Sequence, residues 1–183
     1  MKSAMAKIIV SLLFFACSHL IGADKKPLTK TESTKIFEAA IRKELKKPTS
    51  ELTKADLKNI TKLTLTDKEL NHLPEGLEKL DQLTHLALDH NQLSHVKGLE
   101  KLTQLTHLSL FNNQLTDTKG LEKLSQLRVL ILAVNQLTNV KDLGKLTQLK
   151  TLWLQGNSNL TKAQIKQLEK ALPKCKISSN PRK

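Results

Sequence analysis

Four blocks of the form LxxLxLxxN open at Leu83, Leu105, Leu127 and Leu149, each 22 residues after the one before. A fixed period of this kind means that one small unit is stacked on copies of itself, because no unit buries its own apolar side chains alone. The blocks run Leu83-Thr84-His85-Leu86-Ala87-Leu88-Asp89-His90-Asn91, then Leu105 to Asn113, Leu127 to Asn135 and Leu149 to Asn157. A degenerate copy starts at Ile60 with Leu63, Leu65 and Leu70; Lys68 stands in place of the asparagine, and Leu73-Pro74-Glu75-Gly76-Leu77 adds one residue. It reads as the first, atypical rung.

Within each unit the LxL step alternates apolar side chains inward, as a short strand does, and a second apolar set such as Val96, Leu99 and Leu102 brings the chain back. Asn91, Asn113, Asn135 and Asn157 then fall in a column where the chain leaves the strand. There their amides satisfy backbone groups, a structural role. Leucine builds this core, which explains why aromatics make up only 3% of the chain.

This pattern resembles the leucine-rich repeat family, in the short 22-residue form of bacterial internalin-type proteins, over roughly residues 60–160. The resemblance implies an α/β solenoid with a short curved parallel sheet of about five rungs, closed by helical N- and C-terminal caps. It also implies a module that binds another protein and does no catalysis. No immunoglobulin-like module or LPxTG sorting signal follows the repeats in this sequence.

Stacked repeats need caps, since their terminal leucine rows would otherwise face water. Residues 24–59 supply the first: Ser33 or Thr34 begins a helix carrying Phe37, Ala40, Ile41 and Leu45, which Pro48 ends, and a second short helix starts at Thr53 with Asp56 three residues on. Residues 161–183 supply the other. Thr161 and Gln164 form a capping box ahead of Ile165, Leu168 and Leu172, Pro173 stops the helix, and Cys175 and Ile177 alternate like a last buried strand. Residues 1–23 read as a secretory signal: Lys2 and Lys7 precede a short apolar run from Ile8 to Ala16, with cleavage expected after Ala23. The expected localisation is secreted or periplasmic, and Phe14-Phe15-Ala16-Cys17 leaves lipid anchoring through Cys17 as an alternative.

Side chains that alternate with the inward leucines line up from rung to rung, so the strand face is written from sequence in columns. The third positions are Lys62, His85, His107, Val129 and Thr151; the fifth are Thr64, Ala87, Ser109, Ile131 and Trp153. The seventh are Thr66, Asp89, Phe111, Ala133 and Gln155; the eighth are Asp67, His90, Asn112, Val134 and Gly156. Phe111, Val129, Ile131, Ala133, Val134 and Trp153 form an apolar cluster toward the C-terminal half, of the kind that anchors protein interfaces. Contact residues are therefore Trp153, Phe111, Ile131, Val129 and Val134, with His85, His107 and Asp89 at the polar edge. A covering chain segment, a dimer mate or plain strand propensity are the competing explanations of this cluster.

His85 and His107 share a column with Asp89 nearby on the same face, but no further ligand stands in place to complete a metal site, and no metal or cofactor is assigned. His107, Ser109 and Asp89 lack an oxyanion hole and a water-excluding pocket, so no catalytic residues are assigned and no enzyme is expected. The chain carries a formal charge of +13, or +11 without Lys2 and Lys7. Most of the excess lies in residues 24–58 and 161–183, and the repeats are nearly neutral. A basic stripe with interleaved aromatics is missing, so no nucleic-acid partner is expected. Contact of the basic ends with an anionic envelope or cell-wall component remains the alternative to protein binding.

Overall fold

The computed structural model describes residues 27–180; the secretory signal and Cys17 lie outside them. The chain forms α1 (Lys30–Leu45), α2 (Lys54–Lys58), β1 (Lys62–Thr64), β2 (His85–Ala87), β3 (His107–Ser109), β4 (Val129–Ile131), β5 (Thr151–Trp153), α3 (Lys162–Ala171) and β6 (Lys176–Ser178). The strands make one parallel sheet in the order β1 to β6. Between strands the chain returns through single 3-10 turns, at Leu77–Lys79, Leu99–Lys101, Leu121–Lys123 and Lys141–Lys145.

The register is the one expected from the repeat: Lys62 pairs with His85, His85 with His107, His107 with Val129 and Val129 with Thr151. The sheet has six strands where about five rungs were expected. Its last strand is the segment read as Cys175 and Ile177, here Lys176–Ser178, and Lys176 pairs in register with Thr151. The sheet is therefore about 24 Å wide.

The core is a continuous stack of leucines. In one unit Leu105, Leu108, Leu110, Leu115, Leu121 and Leu124 are all buried, and the neighbouring units repeat this. Each fully buried leucine is worth roughly 1.5–3 kcal/mol relative to exposure.

The asparagine column forms the expected ladder. Asn113 Nδ2 donates to the carbonyls of Leu88 (3.0 Å) and Leu110 (3.2 Å), while its Oδ1 accepts from Leu93 N (3.0 Å). Asn135 does the same with Leu110, Leu132 and Leu115, and Asn157 with Leu132, Leu154 and Leu137. At the first rung, Asn91 Oδ1 accepts from both Leu70 N and Lys68 N. All four amides are buried, where an unpaired backbone group is costly.

Both caps are present, with one correction. Helix α1 is capped by Thr29, whose side chain accepts from Glu32 N and whose own N–H donates to the Glu32 carboxylate, not by Ser33 or Thr34. The reciprocal Thr-x-x-Glu pairing outcompetes a cap without it. The released Ser33 is buried, its Oγ donating to Lys30 O and lying 3.1 Å from His72 Nε2, which ties α1 to the first rung. Lys46 ends the helix in the left-handed region (φ 54°), ahead of Pro48. Thr53 with Asp56 and Thr161 with Gln164 form the expected capping boxes. Lys47 and Thr53 together hold the Asp56 carboxyl at about 2, well below its ordinary value.

Helix α3 lies against the turn Lys141–Lys145, and Gly144 permits the approach: a Cβ there would sit 3.0 Å from Ala171 Cβ. Gly144→Val is expected to push the cap outward and cost about 1–3 kcal/mol, by overpacking. Chemical denaturation checks this, with the loss in midpoint at an unchanged slope.

Candidate functional site

The third and fifth columns face outward beside the buried leucines, and the residues of β1 to β4 enclose a groove of about 270 Å³. Lys62, His85, His107 and Val129 line it along the third column, and Thr64, Ala87, Ser109 and Ile131 along the fifth. All the predicted contact residues except Asp89, Phe111, Val134 and Trp153 line this groove. Those four lie farther along or beyond it.

The apolar half differs in detail from the sequence reading. Trp153 and Val134 are the large hydrophobic side chains exposed among the described residues, each at 42%. Val129, Ile131 and Phe111 are half-buried. Ala133 is buried and adds nothing to the surface, because its short side chain sinks between its larger neighbours in the seventh column. Phe111 packs edge-on against His90, ring centroids 5.1 Å apart at 74°, so part of its face is taken up within the protein.

Val134 sits where the chain turns out of β4, with φ of 56°. The other members of its column, Asp67, His90, Asn112 and Gly156, share the left-handed conformation, which suits Asp, Asn, His and Gly far better than a β-branched residue. Gly156 must also stay bare, since a Cβ would lie 3.0 Å from the Val134 Cα. An exposed, strained valine serves the fold poorly, and such outliers concentrate at functional surfaces. Val134→Asn is expected to stabilise the protein by about 1 kcal/mol, read as a rise in melting temperature. A fall in melting temperature would contradict the strain argument.

The polar half is also reorganised. Asp89, expected at the contact edge, is turned into the structure: Oδ1 accepts from Ser109 Oγ and from Phe111 N at 2.9 Å. A short carboxylate at the exit from β2 reaches the free N–H of the next rung, so it behaves as a structural clip. His85 and His107 stack with centroids 4.2 Å apart at 8°, and each Nδ1 lies 2.9 Å from the hydroxyl of the preceding threonine, Thr84 or Thr106. Burial, then His107 and Lys62, holds the His85 imidazole below its ordinary 6.5. Cys175 is half-buried against the core, and burial pushes its thiol up.

The leucine-rich repeat family matches this chain twice: one model over residues 58–115 and a second, of two repeat copies, over residues 125–170. No curated protein sequence matches. Among solved structures, an internalin (inlF) from Listeria monocytogenes is 25% identical, with a TM-score of 0.72 over 87% of this chain and 46% of that one. A leucine-rich repeat protein of Leptospira interrogans is 32% identical, with a TM-score of 0.61 over 70% of this chain and 34% of the other. Internalin C2 (inlC2) from Listeria monocytogenes, 24% identical with a TM-score of 0.54, covers 81% and 85% of the two chains and shares the fold. The chain thus spans less than half the length of the first two. Its repeat spacing, parallel register and asparagine ladder agree with these matches, and the chain belongs to the leucine-rich repeat family as a bacterial internalin-like member.

Proposed function

We propose that the protein is an exported, non-catalytic binding module that docks another protein on its strand face, with Trp153 as anchor. The observation that carries this is the exposure of Trp153 and Val134 on a chain whose other large apolar side chains are buried or half-buried among the described residues. Aromatic anchors of this kind hold most of the energy of an interface. A sheet about 24 Å wide accommodates a helix or loop of the partner, at the small end of stable interfaces.

A photo-reactive residue at position 153 tests the reading against the same residue at Lys119, on the return side. Cross-linking from 153 alone, to a protein whose purified form then binds the strand face, supports it; equal yields from both positions contradict it.

One observation favours a second reading, adhesion to an anionic surface. Lys162, Lys166 and Lys170 follow at every fourth residue on α3, all exposed and without an ion pair among the described residues. Binding through this row would disappear at moderate salt, whereas docking on Trp153 would persist.

A further inference from the structure

The two stacked histidines have an arrangement that apolar docking does not use. The hydroxyl of Thr84 donates to the carbonyl of Thr61 (2.9 Å) and that of Thr106 to the carbonyl of Thr84 (3.0 Å). Each hydroxyl oxygen is then free to accept from the Nδ1–H of the following imidazole, which leaves both Nε2 atoms without a partner among the described residues. When the rings are protonated, this chain closes: every donor on the inner side has an acceptor, and each Nε2–H is left to the groove.

The surroundings are net positive: besides Asp89, the nearby acid is Glu44 of α1, which packs against β1 and lies with Lys43 and Lys68 around Thr64 and Thr66. Lys62 precedes His85 in the same column, lines the same groove and makes no ion pair among the described residues. Asp89, the one acid in the third, fifth or seventh column, has its Oδ1 engaged by Ser109 and Phe111. The third and fifth positions of β3, β4 and β5 carry no further charge beyond His107, Lys176 extends the third column on β6, and Arg128 and Lys150 stand one residue ahead of it. Two imidazolium rings stacked at 4.2 Å repel each other and Lys62, so an anion between their Nε2 atoms and the ammonium would remove the obstacle to protonation.

We infer that Lys62, His85 and His107 form an anion site on the strand face, which takes a carboxylate side chain of the docked protein and binds it together with protons. This deepens the docking reading and rests on it for the source of the carboxylate. Anion affinity rises as pH falls through the imidazole range, because the anion favours the protonated rings and linkage makes the effect mutual. The docked segment therefore carries an acid toward β1 and β2 and an apolar residue toward Ile131 and Trp153.

Sulfate is the probe, since its charge does not change between about pH 5 and about pH 8, which bracket the imidazole titration. In NMR titrations at about pH 5, sulfate should shift the ring signals of His85 and His107 saturably and leave those of His95 in place. Raising the pH to about 8 should weaken the affinity at least about tenfold, and Lys62→Ala should weaken it several-fold at either pH. Equal shifts at His95, an affinity indifferent to pH, or one indifferent to Lys62→Ala overturns the site. Trp153→Ala leaves this titration unaltered, so failure of the anion site and failure of the apolar docking surface are told apart.

Discussion

Asn113→Ala is expected to cost the protein about 2–4 kcal/mol of stability, a large loss for a single polar side chain. The amide pairs the carbonyls of Leu88 and Leu110 and the N–H of Leu93, all on the buried side of the turn. Alanine leaves the Leu93 N–H without a partner and takes one of two amide donors from each carbonyl, Leu88 still accepting from Asn91 and Leu110 from Asn135. The one buried N–H left unpaired costs about 1–3 kcal/mol, and each of the two shared carbonyl bonds adds about 0.5–1.5 kcal/mol, not in full because the three are coupled. For a domain of this size the loss lowers the melting temperature by roughly 5–15 °C. Asn113→Asp separates hydrogen bonding from bulk. Its carboxylate still accepts from Leu93 but turns lone pairs on two carbonyls, so it should be as damaging as alanine. Gln114→Ala, at the exposed neighbouring position, should change stability by less than about 0.5 kcal/mol. An Asn113→Ala protein within about 1 kcal/mol of the parent would show that the ladder is incidental.

Trp153→Ala is expected to reverse this pattern, with little change in stability and a large loss of binding. The ring is 42% exposed and stands between Ile131 and Ser178 in the fifth column, so little of the fold depends on it. Buried against a partner, it contributes about 2–4 kcal/mol, or roughly 30- to 1,000-fold in Kd. Calorimetric titration of the identified partner measures the loss, and a melting curve on the same samples shows whether the fold survived. Trp153→Phe should recover part of the affinity, because it restores apolar area without the full ring. Undiminished affinity in Trp153→Ala would remove the strand face from consideration as the docking surface.

Much of the fold follows from the 22-residue spacing, because a parallel register is set once the repeat and its inward leucines are aligned. His85, His107 and Val129 are neighbours in the sheet for no other reason. The sixth strand is harder to see, since Lys176-Ile177-Ser178 lacks the leucine pattern and is placed by the turn after α3 and by Lys176 N donating to Lys150 O. The cap of α1 was misplaced by four or five residues because Thr29, Thr31, Ser33 and Thr34 crowd the start of the helix. Only the reciprocal bond with Glu32 singles out Thr29.

The site was legible in position and less so in role. Column arithmetic brought Trp153, Ile131, Val129, His85 and His107 to one face. It did not show that Ala133 is buried or that Asp89 is spent on Ser109 and Phe111, since both depend on side-chain length at a turn. Val134 was placed correctly and understood incompletely. Its left-handed backbone was visible only through its column mates Asp67, His90, Asn112 and Gly156, residue types that tolerate that conformation.

The asparagine ladder joins each unit only to the ones beside it, and the leucine stack behaves alike. A gene encoding such a chain can gain or lose one 22-residue segment without any remaining residue having to find a new neighbour type, provided the caps stay at the ends. Each such event would widen or narrow the exposed sheet by about 4.8 Å. The reach of the surface is in that sense a heritable length, adjustable in whole steps by duplication and deletion, while the side chains in its outward columns change one codon at a time.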